Sequence, residues 1–439
     1  MNLDKDIKNY KSLDEIADTY ELHSNGAFAD IYNILHDGVT GEIGYIKSEN
    51  VGDYFISDVK DKISIDAHFK LKKTITKQGD ILVARTGKIG GASIVTEDFI
   101  NYNTNQNVVN IRIKDSQINP YYLVAFLNTK YGISEFKRAS TGNVQPWLNL
   151  SILRKIKIPI VSNEYQVLIE EKLKEINDIR LKYENLKKEY ENLISNLFNI
   201  NKIDFESNIS ILKSNKLESR WDPEFYEKKY CDLLDYIKLV DNRKLSDLVD
   251  IEYSIDPGSS CYADEGIPFL RVSNLFEDKI TPPEIKINPE LIKKPEKYFI
   301  KRGNILMSKD GTIGIAYKSE VDLEYIPAGA IVRLSVKSKK IIDEDYLVAV
   351  LNSPVVRLQA ERDSAGSIIM HWKKSQIENL LIPLVDSELM ARISNAVKKC
   401  NYLRTIYRNN LIVITKATEL SVKNSGEAIE YIMKNYQII

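Results

Sequence analysis

The chain has 439 residues, more than one hydrophobic core usually supports, and its 43% hydrophobic content is enough to fill two or more domains. With 61 basic and 62 acidic residues the net charge is −1, so no excess of positive charge marks a general polyanion binder. Any nucleic-acid binding must therefore come from local basic surfaces.

The three cysteines and the apolar runs restrict the class of protein further. Cys231, Cys261 and Cys400 form no CxxC pair, which argues against a disulfide framework or a zinc ribbon. No apolar run approaches the roughly 18 residues that a membrane span needs. We therefore expect a cytoplasmic protein without a membrane partner.

An internal repeat organises the chain. GDILVARTGKIG begins at Gly79 and GNILMSKDGTIG at Gly303, 224 residues later, and the two strings share six of twelve residues. The same offset joins YLVAFLN at 122 to YLVAVLN at 346, and IGYIKSENV at 43 to IPFLRVSNL at 267. Upstream, SLDEIAD at 12 matches KLSDLVD at 244 with an offset of 232. The sequence therefore predicts two tandem copies of one module.

Each copy predicts the same order of elements. Short β-rich runs such as ILVA and VVNIRI alternate with glycine and polar turns, which is typical of a mixed, mainly β module. A short helix is predicted at YLVAFLNTKYGISEFK, then a strand at IKIPI, and then a long helix from about Asn163 to Asn199.

The long helix has an apolar seam. Residues spaced three or four apart run from Ile169 to Leu197, and the second copy repeats the spacing from Ile393 to Tyr407. An ordinary amphipathic core helix would show a similar stripe. Its position after both modules favours two spacer helices that pair as an antiparallel coiled coil.

The glycine-rich loops are the first candidate DNA contacts. Each is entered through a basic residue, and the candidates are Arg85, Thr86, Lys88, Lys309 and Thr312. Their side chains suit phosphates or base edges. A plain β-turn required by the fold is the alternative, and it is favoured because the glycines repeat while their flanking side chains differ. The loops lack the spacing of a phosphate-binding P-loop.

Two further regions supply candidates. Lys47 and Arg271 occupy equivalent positions before Asn50 and Asn274, and these asparagines favour turns. The segment 136–159 around Trp147 is locally basic, and its equivalent is 362–383. The candidates there are Arg138, Asn143, Gln145, His371, Lys373 and Lys374. A solvated loop with a buried tryptophan anchor is the alternative.

The sequence contains no recognisable catalytic constellation. The four histidines are unmatched between the copies, and no nucleophile elbow, methyltransferase cluster or helicase phosphate loop is found. Repeated loops without repeated acid, base or ligand residues indicate binding rather than catalysis.

The ordered set of motifs resembles the specificity (S) subunit of type I restriction-modification systems. The set consists of G[DN]IL followed by GxIG, then YLVAxLN, SxG, and IP with a glutamate opening a long helix. ESRWDPEFYEKKY at 218 is similar to the family's entry to its second recognition domain. One departure is that EYQ at 164 is ELM in the second copy. Because the family varies its base-reading residues, none is carried over.

The resemblance implies an α+β fold with two target-recognition domains, each followed by a spacer helix. The expected boundaries are 1–160, 161–215, 216–385 and 386–439. It implies a phage-defence subunit that reads a bipartite, gapped duplex DNA target. Two adenine methyltransferase (modification) subunits using S-adenosylmethionine would join it, and the family also allows restriction/translocase subunits using ATP and Mg. The chain itself would hold no cofactor and no metal.

Two alternatives stay open at this point. A scaffold or antirestriction decoy built on the same modules should be strongly acidic, which this chain is not. The detached recognition portion of a single-chain enzyme would predict methyltransferase motifs, and none is found.

Overall fold

The structure is a computed structural model that describes residues 9–26, 30–32, 35, 41–86, 90–141, 147–205, 221–364 and 371–438. The chain forms two compact units. Unit 1 comprises Met1–Leu181 with Arg404–Ile439, and unit 2 comprises Lys182–Leu403. None of the helices in the described part of the chain combines the length and apolar character that crossing a bilayer requires.

The first copy of the module lies in unit 1. Its strands are β1 (Tyr10–Ser12), β2 (Ala17–Tyr20), β3 (Ile43–Ile46), β4 (Tyr54–Phe55), β5 (Lys62–Ile63), β6 (Ile81–Ala84), β7 (Ala92–Ile94), β8 (Asn103–Thr104), β9 (Val108–Ile113), β10 (Ser140–Thr141), β11 (Trp147–Leu148) and β12 (Lys157–Pro159). Its helices are α1 (Leu13–Ile16), α2 (Ile65–Lys70), α3 (Pro120–Leu127), α4 (Lys130–Ala139), α5 (Leu150–Leu153) and the first long helix α6 (Asn163–Leu197), which ends in unit 2.

The second copy lies in unit 2. Its strands are β13 (Asn242–Lys244), β14 (Val249–Tyr253), β15 (Tyr262–Ala263), β16 (Ile267–Leu270), β17 (Leu275–Phe276), β18 (Lys279–Ile280), β19 (Lys286–Ile287), β20 (Ile305–Ser308), β21 (Ala316–Lys318), β22 (Ile326–Pro327), β23 (Ile331–Val336) and β24 (Leu381–Pro383). Its helices are α7 (Lys228–Lys238), α8 (Leu245–Leu248), α9 (Glu344–Leu351), α10 (Pro354–Ser364), α11 (Lys374–Glu378) and the second long helix α12 (Ser387–Ser421); α12 ends in unit 1, where α13 (Ser425–Asn435) follows.

Each module contains two main sheets. In unit 1 the strand orders are β2-β9-β6-β7-β4 and β5-β3-β8, and in unit 2 they are β14-β23-β20-β21 and β15-β19-β16-β22. Strand β6 is buried on both faces, because Ile81 and Val83 join the core under the helices while Leu82 and Ala84 join the core under the smaller sheet. Successive side chains of β6 point alternately into these two cores, which explains why the run ILVA is apolar at every position.

The structure confirms the predicted repeat in its main elements. Strands β6 and β20, the helices α3 and α9, and the two long helices all begin 224 residues apart. Strands β1 and β13 begin 232 residues apart, as the upstream match indicated. The glycine that opens each G[DN]IL string has a positive φ, +82° at Gly79 and +86° at Gly303, where a side chain would strain the backbone.

The YLVAxLN motif holds each module together. The hydroxyl of Tyr122 donates to the carbonyl of Pro159 at 2.8 Å, and that of Tyr346 donates to Pro383 at 2.9 Å. The side chain of Asn128 both accepts from and donates to the backbone of Ala92. The motif therefore fastens α3 or α9 to the IP strand and to the central sheet.

The single short helix predicted over residues 122–137 is in fact two helices. Helix α3 ends at Leu127, and α4 begins at Lys130. Thr129 caps α4 by accepting a hydrogen bond from Gly132 N. A capping threonine and the Asn128 bonds to the sheet break a pattern that helical periodicity alone reads as continuous.

The long helices run antiparallel within unit 2 and are in contact within unit 1. In unit 2, Cys400 Sγ lies 3.5 Å from the carbonyl of Tyr183, and Arg392 pairs with Glu189 at 3.4 Å. Advancing along α6 therefore means moving back along α12. In unit 1, the Tyr165 hydroxyl donates to Thr418 Oγ1 at 2.9 Å.

The predicted seam is buried in unit 1 and shifts in unit 2. Ile169, Leu173 and Ile176 are fully buried. Near the end of α6, however, the buried residues are Ile194 and Phe198, each one position after the predicted Leu193 and Leu197, which are partly buried. There the helix packs on the module core as well as on α12, and this rotates its buried face.

Candidate nucleic-acid interface

In module 1 a short loop brings the ends of β3 and β6 to a common edge. The amide of Asn105 donates to the carbonyl of Ile46, the last residue of β3, at 2.9 Å. The amide of Arg85, directly after β6, donates to Asn107 O at 2.8 Å. The candidates Lys47 and Arg85 therefore leave their strands on the same edge.

Module 2 repeats this arrangement with different side chains. The amide of Ala328 donates to Leu270 O at 2.8 Å, and the amide of Lys309 donates to Ala330 O at 2.8 Å. Arg271 and Lys309 leave β16 and β20 there. We call this shared feature the loop edge of each module, defined by Lys47 and Arg85 in module 1 and by Arg271 and Lys309 in module 2.

Arg85 is held inside its loop edge. Its side chain is only 6% exposed, forms an ion pair with Glu21, and places its guanidinium carbon 4.4 Å from the Trp147 ring centre. The carbonyl of Arg85 accepts the amide of Leu148 at 2.9 Å. Burial lowers the pKa of Arg85, but a guanidinium remains charged in proteins. Glu21 thus balances this charge.

In module 2 the equivalent basic residue, Lys309, also pairs with a carboxylate, that of Asp310. Asp310 accepts from Lys309 Nζ at 2.6 Å and lies 2.8 Å from His371 Nδ1. Partial burial by itself raises the pKa of Asp310, but the hydrogen bonds and charges of Lys309 and His371 outweigh it and lower that pKa. The carbonyl of Lys309 accepts the amide of Trp372 at 2.9 Å.

These backbone bonds define which residues correspond. Leu148 and Trp372 occupy equivalent positions, and both are buried. Trp147 and His371 directly precede them, and both rings are exposed. The buried tryptophan anchor proposed for this segment therefore exists in module 2 as Trp372, whereas Trp147 in module 1 points a large part of its ring outward.

The GxIG string of module 2 is a hairpin turn between β20 and β21. Gly314 has a φ of +85°, and its amide donates to Ser308 O at 2.9 Å. The hydroxyl of Ser308 donates to the carbonyl of Thr312 at 2.6 Å, and the Thr312 side chain is exposed. The glycines therefore serve the turn, and the turn presents Thr312 to solvent.

Asn50 and Asn274 also close turns, as the sequence favoured. Asn50 Oδ1 accepts from the amide of Lys47 at 2.8 Å, and Asn274 Oδ1 accepts from the amide of Arg271 at 3.2 Å. Their side chains thus shape the loop edge from within.

The remaining basic candidates are at the surface, most of them beside an acid. Lys47 Nζ lies 2.6 Å from Asp61, Arg138 pairs with Glu135, and Lys374 Nζ lies 3.8 Å from Glu378.

The other sequence candidates differ in how the structure places them. Arg271 and Lys373 are exposed, and Thr86 is half-buried. Lys88, Asn143 and Gln145 lie outside the described residues. A role in DNA contact stays a prediction for every one of the thirteen candidates.

Sequence reasoning missed the acids and one of the rings. Glu21 and Asp310 are not among the predicted residues, because phosphate contacts require basic side chains, although Asp310 directly follows Lys309. For Trp147 the alternative from sequence is a buried anchor, whereas the 224-residue offset matches Trp147 with His371. Within the described residues, no group of three His, Cys, Asp or Glu side chains could hold a metal ion.

Comparison with known proteins gives a family match over most of the chain. Residues 10–192 and 238–416 match the family described as type I restriction modification DNA specificity domain. The two matched ranges correspond to the two copies of the repeat.

Individual relatives are more distant. The type I restriction enzyme MjaVIII specificity subunit of Methanocaldococcus jannaschii is 24% identical over 356 residues, covering 79% of this chain and 78% of its own. The S subunit of a type I restriction-modification system from M. genitalium aligns at 14% identity with a TM-score of 0.49, and the alignment covers 96% of this chain and 97% of that subunit. The HsdS subunit from Thermoanaerobacter tengcongensis aligns at 14% identity with a TM-score of 0.31, and the alignment covers 95% of this chain and 97% of that subunit.

Proposed function

Because this chain belongs to the type I restriction modification DNA specificity family, we propose that each of its modules binds one half of a bipartite, gapped duplex DNA target. The observation that supports this most directly is the loop edge, which recurs in both modules with one backbone scheme and different side chains. A common frame with variable side chains is what reading two unrelated half-sites requires.

The chemistry of the loop edge suits duplex DNA. Exposed cations such as Arg271 and Lys373 can neutralise phosphates and fix the register of the module. Base identity is read by hydrogen-bonding and apolar groups that reach the groove. The net charge of −1 leaves these local groups to provide the attraction.

We further propose that the chain acts without catalysing a reaction itself. Its role would be to recruit modification subunits, two in number, that use S-adenosylmethionine to methylate adenine. Restriction/translocase subunits using ATP and Mg could join the same assembly. The family match supports this proposal, and so does the name of the M. jannaschii relative, which is that of a specificity subunit. The purified chain alone should therefore show no methyltransferase, nuclease or ATPase activity.

Exchanging one module tests the proposal. Residues 216–385 would be replaced by the equivalent segment of a relative, and the methylated sequence would be mapped in cells carrying the modification subunits. We expect one half of the target to change while the other half and the gap persist. An exchange that alters both halves, or neither, would contradict one half-site per module. A reciprocal exchange of residues 1–160 is the matched control and should change the other half.

A further inference from the structure

Trp147 and His371 are equivalent residues with exposed rings at the two loop edges. Each directly precedes a buried residue, Leu148 or Trp372, whose amide is fixed to the carbonyl of Arg85 or Lys309. The backbone therefore fixes where each ring begins. We infer that Trp147 and His371 are base-contacting, specificity-determining residues, one for each half-site; this inference rests on the proposed function.

In module 1 the ring of Trp147 is in contact with Arg85 and is still exposed to solvent. The Arg85 guanidinium lies 4.4 Å from the ring centre and is itself paired with Glu21. Even so, Trp147 remains 41% exposed. A cation–π contact with a buried, charge-balanced arginine holds the indole in place. Most of the indole ring is apolar carbon, which suits contact with the methyl group of a thymine in the major groove.

In module 2 the ring of His371 is oriented by one nitrogen. Nδ1 is hydrogen-bonded to Asp310 Oδ1 at 2.8 Å, while the side chain as a whole is 67% exposed. Among the residues that the structure describes, none forms a hydrogen bond with Nε2, so this nitrogen can meet a partner outside the protein. Lys309 holds Asp310 from the other side at 2.6 Å, so the carboxylate is fixed before DNA binds. His371 therefore suits a hydrogen bond to a base edge through Nε2.

A purely structural role is the alternative for both rings. An exposed ring contributes little to the core, and the two rings differ chemically at one equivalent position. If they only supported the fold, both modules could use the same residue there. Different rings on one frame are what two different half-sites would require.

The test uses the full chain assembled with its modification subunits and a duplex DNA library of random sequence. Bound DNA is sequenced for the wild type, Trp147→Leu and His371→Asn. Asparagine can keep a hydrogen bond to Asp310 while lacking the atom equivalent to Nε2. His371→Gln is the rescue variant, because its amide can reach the place of Nε2.

We expect Trp147→Leu to abolish the preference at one or two positions in one half of the motif, with about 10-fold weaker binding of matched DNA. His371→Asn should do the same in the other half only, and His371→Gln should restore part of the preference. Should Trp147→Leu fail to fold, as thermal unfolding would reveal, Trp147→Phe replaces it; a smaller ring over Arg85 should give a weaker preference at the same positions.

Two control variants remove exposed rings away from the loop edge. Phe69 is 61% exposed and follows β5, which lies beside Ile43 at the far end of β3 from Lys47. Tyr262 is 42% exposed and pairs with Ile287, at the far end of β16 from Arg271. Phe69→Ala and Tyr262→Ala should leave the motif unchanged.

The outcomes separate this inference from the proposed function. If the wild type selects a motif and both Trp147→Leu and His371→Asn select the same motif with the same strength, the inference is overturned while the proposed function stands. If the wild-type assembly selects no sequence, the proposed function itself fails.

Discussion

Asp80 and Arg112 form a two-pronged ion pair in module 1, with Nε donating to Oδ1 at 2.8 Å and Nη2 donating to Oδ2 at 2.7 Å. Asp80 is 2% exposed, and the hydrogen bond and charge of Asp80 raise the pKa of Arg112 despite partial burial. In module 2 Ile305 pairs with Leu334 as Ile81 pairs with Ile111 in module 1, so Asn304 and Ser335 occupy the equivalent places. There Asn304 Nδ2 donates to Ser335 Oγ at 3.0 Å. The same pair of positions therefore holds an ion pair in module 1 and a neutral hydrogen bond in module 2.

This relationship predicts a strong coupling between the two sites. Asp80→Asn or Arg112→Ser alone leaves one charged group without its partner and should lower the free energy of unfolding by about 1.5–3 kcal/mol. The double variant reproduces the pair of module 2 and should lose less than the sum of the single variants. Urea unfolding of the four proteins measures the coupling, and simple additivity would contradict the prediction.

A second prediction concerns Lys318 and Asp345 in module 2, which lie 2.6 Å apart with side chains 12% and 2% exposed. Lys318→Met should destabilise the protein by about 3 kcal/mol at neutral pH, because it removes the closest cation from a buried carboxylate. Lys398, 3.6 Å from Asp345, provides only partial compensation. Denaturant unfolding at pH 7 measures the loss, and a loss below 1 kcal/mol would show that Lys398 suffices.

The same pair predicts a pH dependence with a definite sign. Burial raises the pKa of Asp345 in the folded wild type, although Lys318 opposes the rise, so losing Lys318 must raise that pKa further. A carboxyl group whose folded pKa exceeds its unfolded value takes up a proton in the folded state first, which favours folding as the pH falls. The stability difference between the wild type and Lys318→Met should therefore shrink from pH 7 toward pH 5. A difference that grew on acidification would have the wrong sign.

Salt dependence identifies phosphate contacts among the basic residues of module 2. Arg271→Ala, Lys309→Ala and Lys373→Ala should each reduce the slope of log affinity against log salt by about one if the residue neutralises a phosphate. Lys293 is the control, since it follows β19 at the far end of β16 from Arg271. If a correctly folded variant keeps the wild-type slope of log affinity against log salt, the substituted residue does not contact a phosphate.

The Arg85→Ala variant should show whether Arg85 contacts a DNA phosphate or has only a structural role in its loop. The sequence predicts that Arg85→Ala weakens DNA binding and flattens the salt slope if the guanidinium contacts a phosphate. Its burial against Glu21 and Trp147 adds a loss of stability to that expectation. Parallel measurement of thermal unfolding and of the salt slope distinguishes the roles, because a role confined to packing lowers stability and leaves the slope intact.

Asp310→Asn should alter how module 2 discriminates between sequences. The change removes a negative charge that Lys309 and His371 share, so binding to random duplex DNA should tighten while preference within one half-site declines. Asp264→Asn removes an exposed carboxylate in the turn before β16, away from the loop edge, and is the matched control. Unchanged affinity for random DNA in Asp310→Asn would exclude a role for this charge in discrimination.

The sequence by itself determined the duplication, the order of elements and the two long helices, because these depend on periodicity and on motifs that recur at a fixed offset. Tyr122 and Tyr346 show why this works: one local string makes one set of hydrogen bonds wherever it occurs. Tertiary structure alone decided which side chains face solvent at the loop edge. Glu21 lies 64 positions before Arg85 in the chain, and Trp147 lies 62 positions after it, yet together they bury its guanidinium. The sequence shows that a residue such as Arg85 is charged. The partners and the solvent exposure of that residue depend on contacts between distant segments, which only the folded chain brings together.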